Sequence, residues 1–408
     1  MTPRVCVVSA LYHPSLGGLG RQAMLLTERL RKEGVELFVV SRTMEGMPPA
    51  EFSPDVEVIR VPCLFPKIHV FEEVSFRHIL LSLSYSAGIA AALVRRRRRY
   101  DIVHFHGASI PLFVSLPFPK IMGKKVVAKV AAANLGTEAG SLSGRYWFAG
   151  DLLARMMRGV DAFIAISDEI REGLLRDGIG PERIHRIANF VDPETFRPPA
   201  PGEKERLKAD LGYAGRRLVL FSGRLVPRKG VEHLLDAWRE ASPRYPEARL
   251  LILGDGPLRE PLEEAAGRLG LSSTVRFGGR VDNVPALLRA ADLFVLPSLQ
   301  EGLSNSLLEA MASGLPAAAS RIGGVVDVAE DGRTALLVPP GDGKALAGAL
   351  ADLLDDGALR ERLGAAALET IRESYGLESR VRLYRDLYGS LCPGRRPSPP
   401  AGTATART

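Results

Sequence analysis

The sequence predicts an α/β protein of two domains, each built on a parallel sheet with helices on both faces. The chain has 408 residues, and a single core commonly serves only roughly 100–200 residues. Short apolar runs alternate with amphipathic helical segments from one end to the other, which is typical of parallel sheets. A polar, proline-rich stretch at residues 189–204 interrupts this alternation. Together these observations favour two Rossmann-like domains.

The strands of the first domain are predicted from short runs rich in Val, Ile, Phe and Ala. They cover residues 5–9, 37–40, 56–61, 102–106, 126–130 and 162–166. In the second domain the runs cover residues 218–222, 249–253, 275–277, 293–296 and 335–338. In open α/β sheets, ligands bind beyond the carboxyl ends of the strands. A substrate that bridges the two sheets would therefore lie in a cleft between them.

The domain boundaries follow from the same pattern. We predict a first domain at 1–190, a linker at 191–204, a second domain at 205–374, a helix near 375–391 that completes the first domain, and a disordered tail at 393–408. The tail is rich in Pro, Ser and Thr and lacks an apolar periodicity that could offset the entropy of ordering it.

The composition is that of a folded protein in a reducing compartment. Hydrophobic residues make up 46% and charged residues 25% of the chain, which excludes a disordered or fibrous class. The three cysteines, Cys6, Cys63 and Cys392, are far apart and odd in number, so they do not form a disulfide framework. The first residues enter a strand pattern without the apolar region of a secretory signal. We expect a cytoplasmic protein.

Five consecutive arginines at residues 95–99 follow an apolar run at residues 79–94. The run is shorter than the roughly 20 residues that a membrane-spanning helix needs. One interpretation is a core helix that ends in a solvated basic turn, where cations suit the helix C-terminus. The other is a basic patch that contacts an anionic membrane leaflet, which would suit an enzyme with a lipid acceptor. We expect no nucleic-acid partner, because no aromatic-basic interleaving accompanies the run.

The strongest chemical signal is GRLVPRKG at residues 223–230, directly after a predicted strand. Arg224 and Lys229 lie five residues apart on this loop, between glycines that let the backbone approach a ligand. Two cations placed in this way can hold a diphosphate and stabilise its charge as it departs.

The second signal is a pair of glutamates in SLQEGLSNSLLEAMASG, after the strand at residues 293–296. The spacing of eight leaves Glu301 on the loop and puts Glu309 on the following helix. Between them lie Gly302, Leu303, Ser304 and Asn305, which bring backbone N–H groups to a helix N-terminus, a suitable anion site. Carboxylates accept hydrogen bonds from paired sugar hydroxyls, so Glu301 and Glu309 suit a donor sugar and a ribose.

With these motifs the sequence resembles a group 1 retaining glycosyltransferase of the GT-B architecture, in which two Rossmann-like domains face each other across a cleft. The resemblance also rests on LILGDGP at residues 251–257, RAADLFVLPS at 289–298 and EGLSNSLLEAMASGLP at 301–316. It implies that Arg224 and Lys229 bind the donor diphosphate, that Glu309 holds the ribose and that Glu301 faces the donor sugar. It further implies that residues 302–305 contact the sugar and diphosphate, and that Val281 lies near the base.

In the first domain, Gly17 and Gly18 follow the first strand and precede a helix. Their backbone N–H groups can reach a phosphate, and the resemblance implies that this loop covers the donor diphosphate. A rival interpretation is a dinucleotide fingerprint, because residues 18–23 read G-x-G-x-x-A. Eight residues separate Ser9 from this motif, however, and no acidic residue ends the second strand.

Two histidines, His104 and His106, end the strand at residues 102–106. We expect them to face opposite sides of the sheet, with His106 pointing into the site, where the resemblance implies an active-site histidine. His104 is then a buried structural residue and His13 an ordinary loop residue. Four polar residues that follow the next strand could bind acceptor or donor phosphate, without a secure assignment: Lys129, Asn134, Thr137 and Glu138.

The expected mechanism is retention of configuration without a metal or other cofactor. The chain contains no D-x-D motif and no His and Cys cluster with ligand spacing, so Arg224, Lys229 and helix N-termini would neutralise the diphosphate. The departing phosphate would assist deprotonation of the acceptor hydroxyl. Three alternatives remain open, namely a sugar-nucleotide epimerase, a glycosyl phosphorylase and a non-catalytic sugar-nucleotide binding protein. The acceptor could be a lipid carrier, a polysaccharide, a small metabolite or a protein. The excess of basic residues in the first domain, most of it from the arginines at 95–99, favours a lipid-linked glycan.

Overall fold

The structure is a computed structural model that describes residues 3–13, 17–44, 46–48, 50–52, 55–65, 76–131 and 156–393. The chain forms two compact units. Unit 1 comprises Met1–Ala188 and Leu377–Thr408, and unit 2 comprises Asn189–Gly376. Each has its own mainly parallel sheet with helices, which confirms the predicted α/β class.

Unit 1 contains an eight-stranded sheet among its described residues. Its strands are β1 (Val5–Val8), β2 (Leu37–Arg42), β3 (Ala50–Phe52), β4 (Glu57–Val61), β5 (Ile102–His106), β6 (Lys125–Val130), β7 (Ala162–Ala165) and β8 (Ile184–Arg186). Their order across the sheet is β3-β4-β2-β1-β5-β6-β7-β8, and all pairs are parallel except β3 with β4. Strands β2, β4 and β3 thus lie on one side of β1, and β5 to β8 lie on the other side. The carboxyl ends of β1 and β5 therefore flank a topological switch point, where ligands bind in open α/β sheets.

The described sheet of unit 2 has six strands, all parallel in their pairing. They are β9 (Arg217–Ser222), β10 (Ala248–Leu253), β11 (Val275–Gly279), β12 (Leu293–Leu296), β13 (Ala317–Ser320) and β14 (Leu336–Val338). The order β11-β10-β9-β12-β13-β14 puts the switch point between β9 and β12. The loops that follow β9 and β12, which carry the strongest sequence motifs, therefore emerge side by side.

Helices cover the sheets. They are α1 (Gly18–Lys32), α2 (Phe76–Arg95), α3 (Ile110–Ser115), α4 (Pro117–Ile121), α5 (Asp168–Arg176), α6 (Glu203–Asp210), α7 (Val231–Ala241), α8 (Arg259–Arg268), α9 (Val284–Ala290), α10 (Asn305–Ala312), α11 (Gly323–Val326), α12 (Gly343–Asp355), α13 (Gly357–Ser374) and α14 (Leu377–Leu391). Several of them begin at a side-chain cap that accepts a hydrogen bond from the first turn. These caps are Ser167, Asn283, Ser304, Asp342 and Asp356.

The stretch predicted as a linker, residues 191–204, is an ordered part of unit 2. Val191 N–H donates to the Tyr375 carbonyl at 3.1 Å, and Phe190, Val191 and Phe196 are buried. Its last residues begin α6. The prolines and polar residues suggested a free connector, but the buried aromatic side chains attach the stretch to unit 2. The predicted tail at 393–408 lies outside the described residues except for Pro393.

Helix α2 carries the apolar run that precedes the arginines. Its segment Arg77–Arg95 has a mean hydropathy of 1.3 over its most apolar window, of which 44% is buried within the fold. By length and composition this is the one candidate membrane span among the described residues. Core helices pass the same test, so the observation is weak evidence for a span.

Candidate active site

The loop after β9 carries Arg224 and Lys229 to the switch point of unit 2. Arg224 is half-buried, whereas Lys229 is only 8% exposed and ends a short 3₁₀ turn, Pro227–Lys229. Gly230 follows with φ of +60°, and a Cβ at this position would lie 2.3 Å from the Pro297 carbonyl oxygen. Only glycine therefore lets this loop approach the loop that follows β12 so closely.

The Lys229 ammonium and the Glu301 carboxylate form a buried ion pair between the two loops. Lys229 Nζ contacts Glu301 Oε1, and the two side chains are 10% and 6% exposed. The Ser298 hydroxyl donates to the same oxygen at 2.8 Å, while Arg228 Nη1 lies 3.7 Å from Oε2. The structure thus brings together the residue assigned to the diphosphate and the residue assigned to the donor sugar. A ligand phosphate would share Lys229 with this carboxylate.

Helix α10 begins at this same edge of the sheet and has its N-terminus at the predicted anion-binding loop. Ser304 Oγ accepts a hydrogen bond from Leu307 N–H at 3.4 Å, which caps the helix. Asn189 Nδ2 donates to Asn305 Oδ1 at 2.9 Å and holds the first residue of the helix. The partial positive charge of a helix N-terminus favours an anion here.

The remaining residues of this loop are packed closely. Leu303 and Ser304 are buried, and Gly302 is half-buried. A Cβ on Gly324 would lie 2.5 Å from the Gly302 carbonyl oxygen, so α11 abuts the loop. Glu309, on the second turn of α10, is 8% exposed. Because Glu309 is buried in a predicted ligand site, we expect its carboxylate to accept hydrogen bonds from a ligand.

Val281 is farther from these residues. It is half-buried and follows β11, which is separated from β9 by β10. Backbone hydrogen bonds connect the three loops at this edge, with Gly223 N–H donating to Leu253 O at 3.0 Å and Gly254 N–H donating to Gly279 O at 2.7 Å. The structure therefore puts Val281 on the same edge of the sheet but not beside the Lys229–Glu301 pair.

Sequence reasoning missed the tight packing of the LGDGP loop. Gly254 has φ of +122°, and its Cβ would lie 1.8 Å from the Gly223 carbonyl oxygen. The Cβ of Gly256 would lie 2.3 Å from Leu225 O. Both glycines therefore let this loop pack closely against the backbone of the loop that carries Arg224. The glycine spacing of the motif was the available signal, but the pairing of loops cannot be read from one sequence.

In unit 1, Gly17 and Gly18 lie at the start of α1. Gly17 is the extended N-cap residue, with φ of −99° and ψ of 179°, and the first turn of the helix contains no acidic residue. A Cβ on Gly20 would lie 2.7 Å from the Leu11 carbonyl oxygen, so the helix packs directly on the loop after β1. The N–H groups of this first turn are therefore positioned at the switch point of the unit 1 sheet.

The expectation that His104 and His106 face opposite sides of the sheet is wrong. Their ring centroids lie 4.4 Å apart, because side chains two residues apart on a strand share a face. The Tyr388 hydroxyl of α14 lies 2.7 Å from His104 Nδ1. His106 is 6% exposed, and within the described part of the chain neither of its ring nitrogens has a hydrogen-bond partner.

Lys129 belongs to this same cluster. It lies on β6 as the register partner of His106 and is fully buried. Its Nζ is 5.8 Å from the centre of the Tyr384 ring on α14. Burial lowers the pKa of Lys129 to about 7. The other polar residues considered with it, Asn134, Thr137 and Glu138, lie outside the described residues.

The other sequence-based expectations concern His13 and metal ligands. His13 is an exposed loop residue, and its carbonyl accepts a hydrogen bond from Arg60 Nη2 at 2.5 Å. Among the described residues there is no group of three or more His, Cys, Asp or Glu side chains arranged to hold a metal ion.

The chain is similar to known proteins along both of its halves. Residues 203–370 match the family described as glycosyl transferases group 1, and residues 16–195 match glycosyltransferase family 4. An α-D-kanosaminyltransferase of Streptomyces kanamyceticus is 30% identical over 70% of this chain and 77% of its own. The sulfoquinovosyl transferase SQD2 of Arabidopsis thaliana is 30% identical over 83% of this chain and 64% of its own.

Solved structures show the same fold. The structure of HepE from Anabaena, determined with UDP and glucose, superposes with a TM-score of 0.75 at 19% identity and covers 95% of this chain and 100% of its own. At this identity the likeness concerns the GT-B fold alone. Together with the family matches and the relatives, it shows that this chain is an enzyme of the group 1 glycosyltransferase family.

Proposed function

We propose that the protein is a retaining, metal-independent glycosyltransferase that moves a sugar from a nucleotide-diphosphate donor to an acceptor hydroxyl. One observation supports the part of this proposal that concerns the sugar donor. The Arg224–Lys229 loop, Glu301 and the N-terminus of α10 with Glu309 all lie at the β9–β12 switch point of unit 2. A diphosphate needs cations and N–H donors, and a sugar with vicinal hydroxyls needs carboxylate acceptors. This edge of the sheet supplies both.

The chemistry assigned to these residues is electrostatic. Arg224, Lys229 and the helix N-terminus stabilise the charge that develops on the departing diphosphate. Glu301 is held by Lys229 and Ser298, so it suits hydrogen bonding to the donor sugar better than nucleophilic attack. Retention then proceeds without a covalent intermediate, and the departing phosphate assists deprotonation of the acceptor hydroxyl. His106 contributes hydrogen bonds to the same reaction.

The test is slow hydrolysis of a panel of nucleotide-diphosphate sugars followed by proton NMR. The first sugar released from an α-linked donor is expected to be the α anomer, and turnover is expected to persist in EDTA. Lys229→Ala and His106→Ala should lose most of the activity, whereas Lys344→Ala, an exposed change in α12 of unit 2, should not.

Each other outcome selects a different function. Release of the β anomer would contradict retention, and loss of activity in EDTA would contradict metal independence. Release of an isomerised sugar nucleotide would indicate an epimerase, and turnover only with added phosphate would indicate a phosphorylase. Binding without any turnover would indicate a sugar-nucleotide binding protein.

On the acceptor side, we propose synthesis of a cell-envelope glycan or glycolipid at the inner, cytoplasmic face of an anionic membrane. The arginines at 95–99 line a surface cavity of about 250 Å³. On α4, Ile121 is 85% and Phe118 40% exposed, and Lys124 lies 5.3 Å from the ring of Tyr100, directly after the arginines. A basic surface beside exposed apolar side chains is suited to an anionic leaflet.

The position of this surface limits what it can do. The arginines precede β5, whereas His106 ends it, so the two lie towards opposite ends of a five-residue strand, which spans about 13 Å at the usual rise per residue. We therefore assign the basic surface to tethering rather than to acceptor binding. Arg97→Glu with Arg98→Glu should abolish co-sedimentation with anionic vesicles and leave donor hydrolysis unchanged. Arg216→Glu with Arg268→Glu, exposed in unit 2, is the charge-matched control, and equal loss in both variants would contradict the assignment.

A further inference from the structure

A buried cluster of titratable side chains surrounds His106 in unit 1. His104 lies two residues before it on β5, and Lys129 is its register partner on β6. From α14, the Tyr384 and Tyr388 rings lie 5.6 and 5.9 Å from the His104 ring. All five side chains are buried, so charges among them interact through a poorly polarisable medium.

The cluster holds a cation next to two imidazoles. Two causes lower the pKa of His104 to about 3, of which burial is the larger and the charge of Lys129 the smaller. Burial, His104 and Lys129 together lower the pKa of His106 well below its usual value. Burial raises the pKa of both tyrosines, and the positive charge of Arg380 opposes this effect at Tyr384. As the pH falls, the first proton is therefore taken by Lys129, and the resulting ammonium resists a second proton on either imidazole.

We propose that Lys129 is a positioning residue that keeps the His106 ring uncharged during turnover. This inference rests on the proposed function, in which His106 contacts the reacting groups. It goes beyond that function because it assigns a task to a fully buried lysine that the proposed function does not use. The observation that supports it is the placement of Lys129 beside His106 on the neighbouring strand, where both side chains are buried.

An uncharged ring has a different hydrogen-bonding capacity from a charged one. Neutral imidazole has one donor and one acceptor nitrogen, whereas imidazolium has two donors and no acceptor. Among the described residues neither nitrogen of His106 has a hydrogen-bond partner, and the side chain is more than nine-tenths buried. Such buried polar atoms are costly unless a ligand satisfies them. A neutral ring can accept from one sugar hydroxyl and donate to another, and protonation would remove the acceptor.

The test compares Lys129→Met with Lys125→Met. Lys125 lies on the same strand, its side chain is 44% exposed, and it pairs with Asp161, so its replacement removes a lysine from the same strand without entering the cluster. Donor turnover of the wild type and of Lys125→Met should change little between pH 8 and 5.5. In Lys129→Met the loss of donor turnover at acidic pH should begin at a higher pH. The ratio of turnover at pH 5.5 to that at pH 8 should then fall by up to about tenfold, because removal of the adjacent positive charge lets the pKa of His106 rise, while burial still lowers it.

A second readout does not require activity. The imidazole NMR signals of His106, assigned with His106→Gln, should stay in the neutral form down to pH 5.5 in the wild type and titrate at higher pH in Lys129→Met. Equal titration in both proteins, or a wild-type His106 that protonates above pH 6.5, would overturn the inference. If Lys129→Met fails to fold, a wild-type His106 that protonates above pH 6.5 still overturns the inference. If His106→Gln retains full turnover, the proposed role of His106 fails, while the NMR comparison still reports on Lys129.

Discussion

Replacement of Lys129 by methionine should stabilise unit 1 at neutral pH and not at alkaline pH. Lys129 is fully buried, and burial lowers its pKa from 10.5 to about 7. The difference of about 3.5 corresponds to about 5 kcal/mol of unfavourable free energy for burying the ammonium, since each pKa unit is about 1.4 kcal/mol. Methionine has a similar length and no charge, and imperfect packing should cost about 1–2 kcal/mol. We expect a net gain of about 3 kcal/mol at pH 7.

The protonation of Lys129 determines how the gain in stability from methionine changes with pH. Below about pH 7 the lysine is protonated in both the folded and the unfolded chain, so the full cost is present. Between pH 7 and 10.5 the unfolded chain binds more protons than the folded one, and wild-type stability therefore rises with pH through this window. At pH 9.5, about one pH unit below the pKa of lysine in the unfolded chain, only about 1.4 kcal/mol of the cost remains. The gain from methionine should by then have nearly vanished.

Scanning calorimetry at pH 7 and pH 9.5 measures the effect. For a unit of this size about 3 kcal/mol corresponds to a rise in Tm of about 6–12 °C at pH 7. At pH 9.5 the two proteins should melt within about 2 °C of each other. A lower Tm for Lys129→Met at pH 7, or a difference that does not depend on pH, would refute the claim that the buried ammonium is costly. Lys125→Met should show no such dependence.

Two further predictions concern the loops of unit 2. Gly230→Ala should reduce donor affinity and lower Tm by several degrees, because the added Cβ would meet the Pro297 carbonyl and strain a positive φ. The control is Gly348→Ala, in open space within α12, which should leave donor affinity unchanged and not lower Tm. Equal effects of the two substitutions would refute the argument. Glu301→Gln should destabilise unit 2 by about 3 kcal/mol, because it leaves the Lys229 ammonium without its carboxylate. Adding Lys229→Met should recover much of this loss in calorimetry, and additive losses in the double variant would show that the two residues are not coupled.

The sequence predicted most strands because apolar, mainly β-branched runs mark buried parallel strands. The predicted runs at 102–106 and 293–296 coincide with β5 and β12. Strand β13 was missed because its sequence, AAAS, lacks β-branched residues, and its pairing with β12 and β14 forms it. The short strands β3 and β8 were missed because each has only three residues and lies at a sheet edge.

For the candidate site, the sequence indicated the loops but not their contacts. Arg224 and Lys229 could be singled out because they lie between glycines on a loop after a strand, and Glu301 and Glu309 because their spacing puts one on a loop and the other on the next helix. The Lys229–Glu301 pair joins residues 72 positions apart, which local spacing cannot reveal. The cluster around His106 depends on α14, whose Tyr388 is 284 positions from His104.

Donor binding tests the central claim most directly. Thermal shift with uridine, guanosine and adenosine diphosphate sugars would be measured for the wild type, Lys229→Ala, Glu309→Gln and the exposed control Lys344→Ala. We expect one donor at 100 times its Kd to stabilise the wild type and the control by about 2.7 kcal/mol, and both site variants to lose the shift. If no sugar nucleotide shifts the wild type at millimolar concentration, or if the site variants respond as the wild type does, the switch point of unit 2 is not the donor site.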